Sequence, residues 1–152
     1  MALTTNALSI TGDEYAEIMN LYALYNQASD SHDAEIFASC FTMDGELRNS
    51  TAGLHLSGQE ELRAFRQRLA NDNTNMYRRH WNSSIHLRRV DFSMIHGRCY
   101  FILYTGIHGA IPNIAAAAIY EDVITSTEKG WKFRTRILLA DSGNFVGTAQ
   151  PK

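Results

Sequence analysis

The apolar side chains of this 152-residue chain change their spacing once, close to the midpoint. Before it they recur at three- and four-residue steps: Tyr15, Ile18, Met19, Tyr22 and Tyr25, then Ile36, Phe37, Cys40 and Phe41, then Leu62, Phe65 and Leu69. That is the spacing of one helix face, and it predicts three helices. From Met76 onward the chain consists of runs rich in Tyr, Phe, Ile and Leu, broken by turn residues, which read as strands. Helices grouped ahead of strands, rather than alternating with them, predict an α+β domain with an antiparallel sheet.

Local signals place the boundaries. Thr11-Gly12-Asp13-Glu14 has the form of a capping box, in which each end residue satisfies the other's free amide. The polar run Ser29-Asp30-Ser31-His32-Asp33 suits the end of the first helix and the start of the second. Met43-Asp44-Gly45 reads as a turn and Glu46 to Asn49 as a short strand, and Ser57-Gly58-Gln59-Glu60 repeats the capping-box form ahead of the third helix. In the second half, a long strand is expected from Met76 to Phe92, a turn at His96-Gly97, and a strand buried on both faces from Cys99 to Ile107. A break at Gly109 to Asn113 leads to a strand from Ile114 to Thr125. Glu128-Lys129-Gly130 makes a hairpin turn, and Trp131 to Ala140 is the last strand. The four alanines from Ala115 to Ala118 lie in the third of these strands against their own helix propensity. No repeat or linker interrupts the chain. The expectation is a single domain over residues 1–152, with a core at about 11–141 and loosely held ends over the first ten and last eight residues. A long twisted sheet with helices on one face curls into a cone, and the space between is a natural pocket.

Composition removes several function classes. Fourteen basic against sixteen acidic residues lack the basic excess that phosphate contacts demand, so nucleic acid is not an expected partner. No apolar run approaches the roughly 20 residues needed to span a bilayer, and the first fifteen residues have neither the basic start nor the apolar stretch of a secretory signal. A cytoplasmic location follows as the expectation. Cys40 and Cys99 are too few for a disulfide scaffold and lie on apolar elements, as inert buried thiols do. The histidines at 32, 55, 80, 86, 96 and 108 show no metal-ligand spacing, and no glycine-rich phosphate loop is present. No metal and no cofactor are expected.

Four stretches carry a family resemblance: LYALYNQASDSHDAEIFASCFTMDGEL, RRHWNSSIHL, AIYEDVI and GWKFRTRIL. In order and spacing they resemble the SnoaL-like branch of the NTF2-like superfamily, over roughly residues 11–141. The resemblance implies a cone in which three N-terminal helices pack on a curved, mostly antiparallel sheet around a pocket. The nearest pattern is that of scytalone dehydratase, bile-acid 7α-dehydratase and hexachlorocyclohexane dehydrochlorinase, lyases that need no cofactor and place a His–Asp pair deep in the cone. Asp30 takes the place of their Asp after the first helix, and His80 that of their His at the opening of the first long strand. Tyr25, five residues before the Asp, and Arg136, after the aromatic pair Trp131 and Phe133, complete the pattern. The match departs from it at Ser84, where relatives often have Asn four residues after the His, and here Asn82 lies nearer. The ketosteroid isomerase members use an Asp on the strand after the second helix. Here that region reads Glu46-Leu47-Arg48-Asn49, and that base is missing.

The resemblance assigns chemistry to these four residues. A histidine titrates near neutrality and can take a proton, while a carboxylate on its other ring nitrogen fixes the tautomer and stabilises the imidazolium. Tyr25 can donate to a developing enolate oxygen, and Arg136 can neutralise negative charge or bind a substrate anion. Each residue also has a structural reading: Asp30 as a cap of the second helix, His80 as a half-exposed strand residue, Tyr25 as core, and Arg136 as partner of Asp122 or Glu121. Arg63, Arg66 and Arg68 read as a solvated helix face, and Arg88 and Arg89 as the same or as part of an oligomer surface. The functional expectation is a cofactor-independent lyase or isomerase, of dehydratase, dehydrohalogenase or cyclase type, acting on a small, largely apolar ring substrate. The alternative is a non-catalytic ligand-binding or structural subunit. The fold commonly pairs or trimerises through its sheet, so a homo-oligomer is expected.

Overall fold

The computed structural model describes residues 9–70 and 75–143. Of the ends expected to be loosely held, residues 1–8 and 145–152 lie outside the described residues. Three helices and six strands follow the order α1 (Gly12–Ser31), α2 (Ala34–Ser39), β1 (Phe41–Asn49), β2 (Leu54–Ser57), α3 (Gly58–Ala70), β3 (Met76–Arg89), β4 (Met94–Ile107), β5 (Asn113–Thr127) and β6 (Gly130–Gly143). The strands form one sheet in the order β2-β1-β6-β5-β4-β3. All neighbours are antiparallel except β1 and β6, which run parallel.

The first capping box forms as expected. The Glu14 amide donates to Thr11 Oγ1 at 3.2 Å, and the Thr11 amide donates to Glu14 Oε2 at 2.9 Å. The second does not. The Ser57 amide donates to Glu61, one residue further on than the motif requires. The alanines of β5 hold their strand because the ladder overrides propensity: Ala116 and Ala118 are buried and paired with both β4 and β6.

Two expected turns are corrected. His96 and Gly97 lie inside β4, and the reversal falls at Val90–Ser93, where the Val90 amide donates to the Met94 carbonyl at 2.9 Å. Gly97 is needed for a different reason, since a Cβ there would run into the hydroxyl of Tyr22 on α1. Likewise Met43-Asp44-Gly45 is not a turn but the irregular stretch of β1, where the register against β6 slips between Phe41 and Glu46. A Cβ on Gly45 would sit 2.7 Å from that of Phe41, so only glycine lets the bulge fold back on itself.

A second bulge shapes β3. Between Ser83 and His86 that strand holds one more residue than β4, and Ser84 takes a left-handed φ of 52°. The extra residue reverses which side faces inward. Arg78, His80 and Asn82 turn toward the helices before it, and Ile85, Leu87 and Arg89 after it. Arg89 is therefore not solvated: its side chain is 5% exposed and pairs with Glu14 at the start of α1. The core lies between helices and concave face, built on Ile18, Tyr22, Tyr25, Phe37, Phe41, Phe101, Tyr120 and Phe133.

Candidate active site

The last turn of α1 delivers Asp30, and the edge strand β3 delivers His80 opposite Leu103 of β4. Asp30 is not a helix cap. That role belongs to Asp33, whose Oδ1 accepts from the Ile36 amide at 2.9 Å, after His32 ends α1 in the left-handed conformation at φ 57°. Asp30 instead accepts from the His80 main chain, at 3.0 and 3.2 Å, and meets His80 Nδ1 at 2.6 Å. With Nδ1–H donating to the carboxylate, Nε2 is the nitrogen left with a free lone pair. Both side chains are mostly enclosed, at 14% and 13% exposure. Burial is the largest influence on the imidazole and, together with the cations Arg66 and Arg136, holds it below its ordinary 6.5 against the bond and charge of Asp30. A neutral, oriented imidazole with a free Nε2 is what a general base requires.

His80 forms part of the wall of a cavity of about 80 Å³ between α1, α3 and the sheet. Leu47, Leu54, Phe65, Leu69, Phe101, Leu103 and Leu138 make its apolar walls, and Tyr25, Tyr120, Asn49, Arg66 and Arg78 its polar groups. An engineered cavity of about 150 Å³ takes up benzene, so this space admits the reacting end of a substrate rather than a polycycle. Tyr25 is almost wholly buried, and its phenol interacts with that of Tyr120. Burial raises the pKa of both hydroxyls, keeping them protonated donors, while Arg136 behind them pulls the other way.

Arg136 does not meet the others in the cavity. It is fully buried one layer deeper, its guanidinium carbon 3.8 Å from the centre of the Tyr120 ring and 4.2 Å from that of Tyr25. Its Nε lies 3.3 Å from Asp122 on the neighbouring strand, and Tyr22 donates to the other oxygen of Asp122 at 2.6 Å. Burial pulls the guanidinium down, but Asp122 and the surrounding phenols outweigh it and hold it above its ordinary value. Burial pushes the Asp122 carboxyl up to about 6 against the pull of Arg136 and the Tyr22 bond. Arg136 thus backs the phenols of the cavity wall electrostatically and does not itself line the cavity.

The arginines that line the cavity are Arg66 and Arg78, and the expected solvated face of α3 is corrected at Arg66. Arg66 is 5% exposed and donates to the Ser29 carbonyl and hydroxyl at 3.2 and 3.3 Å. The signal was present in the sequence: Leu62, Phe65, Arg66 and Leu69 follow the i, i+3, i+4, i+7 stripe of an inward face. Arg63 is different, pairing with Glu35 at the surface. Glu46 turns out of the site toward Arg48 and His55, while Leu47 and Asn49 face in, so β1 brings no carboxylate to the cavity. Cys40 and Cys99 are both free and buried, and burial pushes their thiols up to about 11. Among the described residues no cluster of three or more His, Cys, Asp or Glu could hold a metal ion, and no helix is long and apolar enough to cross a membrane.

The family model of the SnoaL-like domain matches residues 12–137. The chain belongs to the SnoaL-like family. Solved structures agree with this placement. ActVI-ORFA from Streptomyces coelicolor superposes with a TM-score of 0.77 at 26% identity, over 86% of this chain and 98% of that one. A Catenulispora acidiphila protein in complex with S-DNPA gives 0.74 at 20% identity, over 86% and 96%. An NTF2-like protein with a cystatin-like fold from Novosphingobium aromaticivorans gives 0.72 at 20%, over 87% and 84%. No curated protein matches the chain. The SnoaL-like chain thus has the NTF2-like architecture, a curved sheet wrapped on helices, with the His80 cavity inside.

Proposed function

We propose that this SnoaL-like protein is a cofactor-independent lyase or isomerase whose base is His80, oriented by Asp30. The observation that carries the reading is the double attachment of Asp30 to His80, through ring and main chain, at the wall of an apolar cavity. A surface histidine has no need of such an anchor. In the reaction, His80 Nε2 takes a proton from the carbon next to a carbonyl, and the electron pair moves onto the carbonyl oxygen. Tyr25, backed by Tyr120, donates a hydrogen bond to that oxygen. The imidazolium, stabilised by Asp30, then returns its proton to a leaving hydroxyl on the adjacent carbon, or to another carbon in an isomerisation. Atoms balance without a metal, nucleotide or oxidant. The substrate class is a small cyclic β-hydroxy carbonyl compound, and the S-DNPA bound by the Catenulispora neighbour supports a small-molecule role for this fold.

The test is turnover of a panel of cyclic β-hydroxy ketones, followed by the absorbance of the conjugated product. His80→Ala and Asp30→Ala are each expected to lose about 10²–10⁴-fold while keeping their far-UV spectrum. Undiminished turnover in either variant overturns the mechanism.

A second reading has its own support. The outer face of the sheet exposes Trp81, Tyr100 and Ile114 at 62%, 55% and 62%, beside Tyr104, whose ring centre is 5.7 Å from that of Trp81. Such a patch is unusual on a monomer, and it supports assembly through the sheet. Light scattering of the wild type against Trp81→Lys distinguishes an oligomer, which that charge would break, from a monomer.

A further inference from the structure

We propose that the His80 cavity takes a substrate carrying a carboxylate, with Arg66 as its counter-ion and Arg78 as a second cation at the wall. This rests on the reading of that cavity as the reaction site, and adds the charge of the substrate to it. Arg66 is a nearly fully buried cation that forms no ion pair among the described residues. Of its five N–H donors, two are used on Ser29, and the buried Nε has no partner. Phe37 covers one face of the guanidinium at 4.2 Å, while its residue borders the cavity. Arg78, on β3 two residues before His80, borders the same space and also forms no ion pair among the described residues. The two cations repel, and burial with that repulsion pulls Arg66 down.

Among the described residues, the carboxylate that acts on Arg66 is that of Asp30, and it is already committed to His80 by three contacts. A buried, unpaired guanidinium is costly unless something completes it. The apolar walls exclude a hydrated surface ion, and the planar fork of an arginine fits a carboxylate.

The probes are benzoate and its neutral counterpart benzamide, titrated calorimetrically into the full chain at pH 7.5 and low salt. Wild type is expected to bind benzoate at least about tenfold tighter than benzamide, the effect of one charge-assisted hydrogen bond. Arg66→Met is expected to erase that preference while leaving the benzamide affinity unchanged. Arg66→Lys should keep part of it, and Arg78→Met, at a less buried position, should weaken it without threatening the fold. Equal affinity for the two probes in wild type, no binding of either, or equal loss of both in Arg66→Met overturns the proposal. The last result would make Arg66 only a brace for Ser29. His80→Gln separates this from the catalytic reading. If that variant keeps both turnover and the benzoate preference, the His80 mechanism falls and the carboxylate site stands.

Discussion

Asp30 grips His80 by its main chain as well as by its ring, so the orientation of the imidazole is set by the position of a strand and not by a side-chain rotamer alone. The anchor has a measurable electrostatic counterpart. The charge of Asp30 raises the affinity of His80 for a proton, and burial lowers it by more. By NMR, His80 is expected to titrate below 6.5 in the wild type and lower still in Asp30→Asn, which keeps the shape and removes the charge. An unchanged midpoint in the variant would show that the carboxylate is not coupled to the ring.

The same shift sets the pH dependence of activity. Only the neutral imidazole accepts a proton, so kcat/KM is expected to rise with pH through a midpoint below 6.5. Arg66→Met removes a cation that opposes protonation and is expected to move that midpoint upward. Rate profiles of the two proteins on one substrate check both statements.

Stability follows from the sign of the shift. The unfolded chain binds a proton at His80 more readily than the folded one, so this group's contribution is present above 6.5 and lost as pH falls through the folded value. Urea unfolding between pH 7.5 and 5 is expected to show a smaller decline for His80→Gln than for wild type.

The buried pair beneath the cavity is expected to be costly to break from one side. Arg136→Met leaves Asp122 without its counter-charge, and Asp122→Asn leaves Arg136 without one, each destabilising the fold by about 3–5 kcal/mol. The double change Arg136→Met with Asp122→Leu removes both charges and is expected to recover a large part of that loss, though Tyr22 then lacks its acceptor. Denaturant midpoints of the three variants decide it.

Gly97 offers a geometric test. Gly97→Ala places a methyl group against the Tyr22 hydroxyl and is expected to cost about 1–3 kcal/mol through overpacking. Tyr22→Phe removes the obstructing oxygen, so the double variant should be more stable than the sum of the single effects predicts. Strict additivity in thermal unfolding would mean that the two residues do not meet.

Much of the fold was legible because period and capping speak locally. The Thr11 box, the stripe from Ile18 to Tyr25 and the hairpin at Glu128–Gly130 are all read within a few residues. Asp30 and His80, by contrast, were paired through the family pattern, since no local rule joins residues fifty positions apart. What stayed hidden depended on partners distant in sequence. Gly97 looks like a turn because glycine usually marks one, and only the approach of Tyr22 reveals why it stands in a strand. Arg66 looks solvated because arginines usually are, although its place on the inward stripe said otherwise. The parallel pairing of β1 with β6 leaves no trace in either strand alone. Arg136 fitted the family position, yet it lies behind the cavity wall because Asp122 holds it there.

The bulge at Ser84 makes β3 two devices in one strand. The segment before it carries Arg78, His80 and Asn82, which face the cavity and α1. The segment after it carries Ile85, Leu87 and Arg89, which seal the far end of the cone and fasten it to Glu14. Because the register resets between them, residues of the first segment can be exchanged to alter what the cavity accepts while the seal keeps its own alignment. Deleting Ser84 would remove that independence. One half of the strand would turn inside out, and the molecule would have to choose between a placed histidine and a closed core.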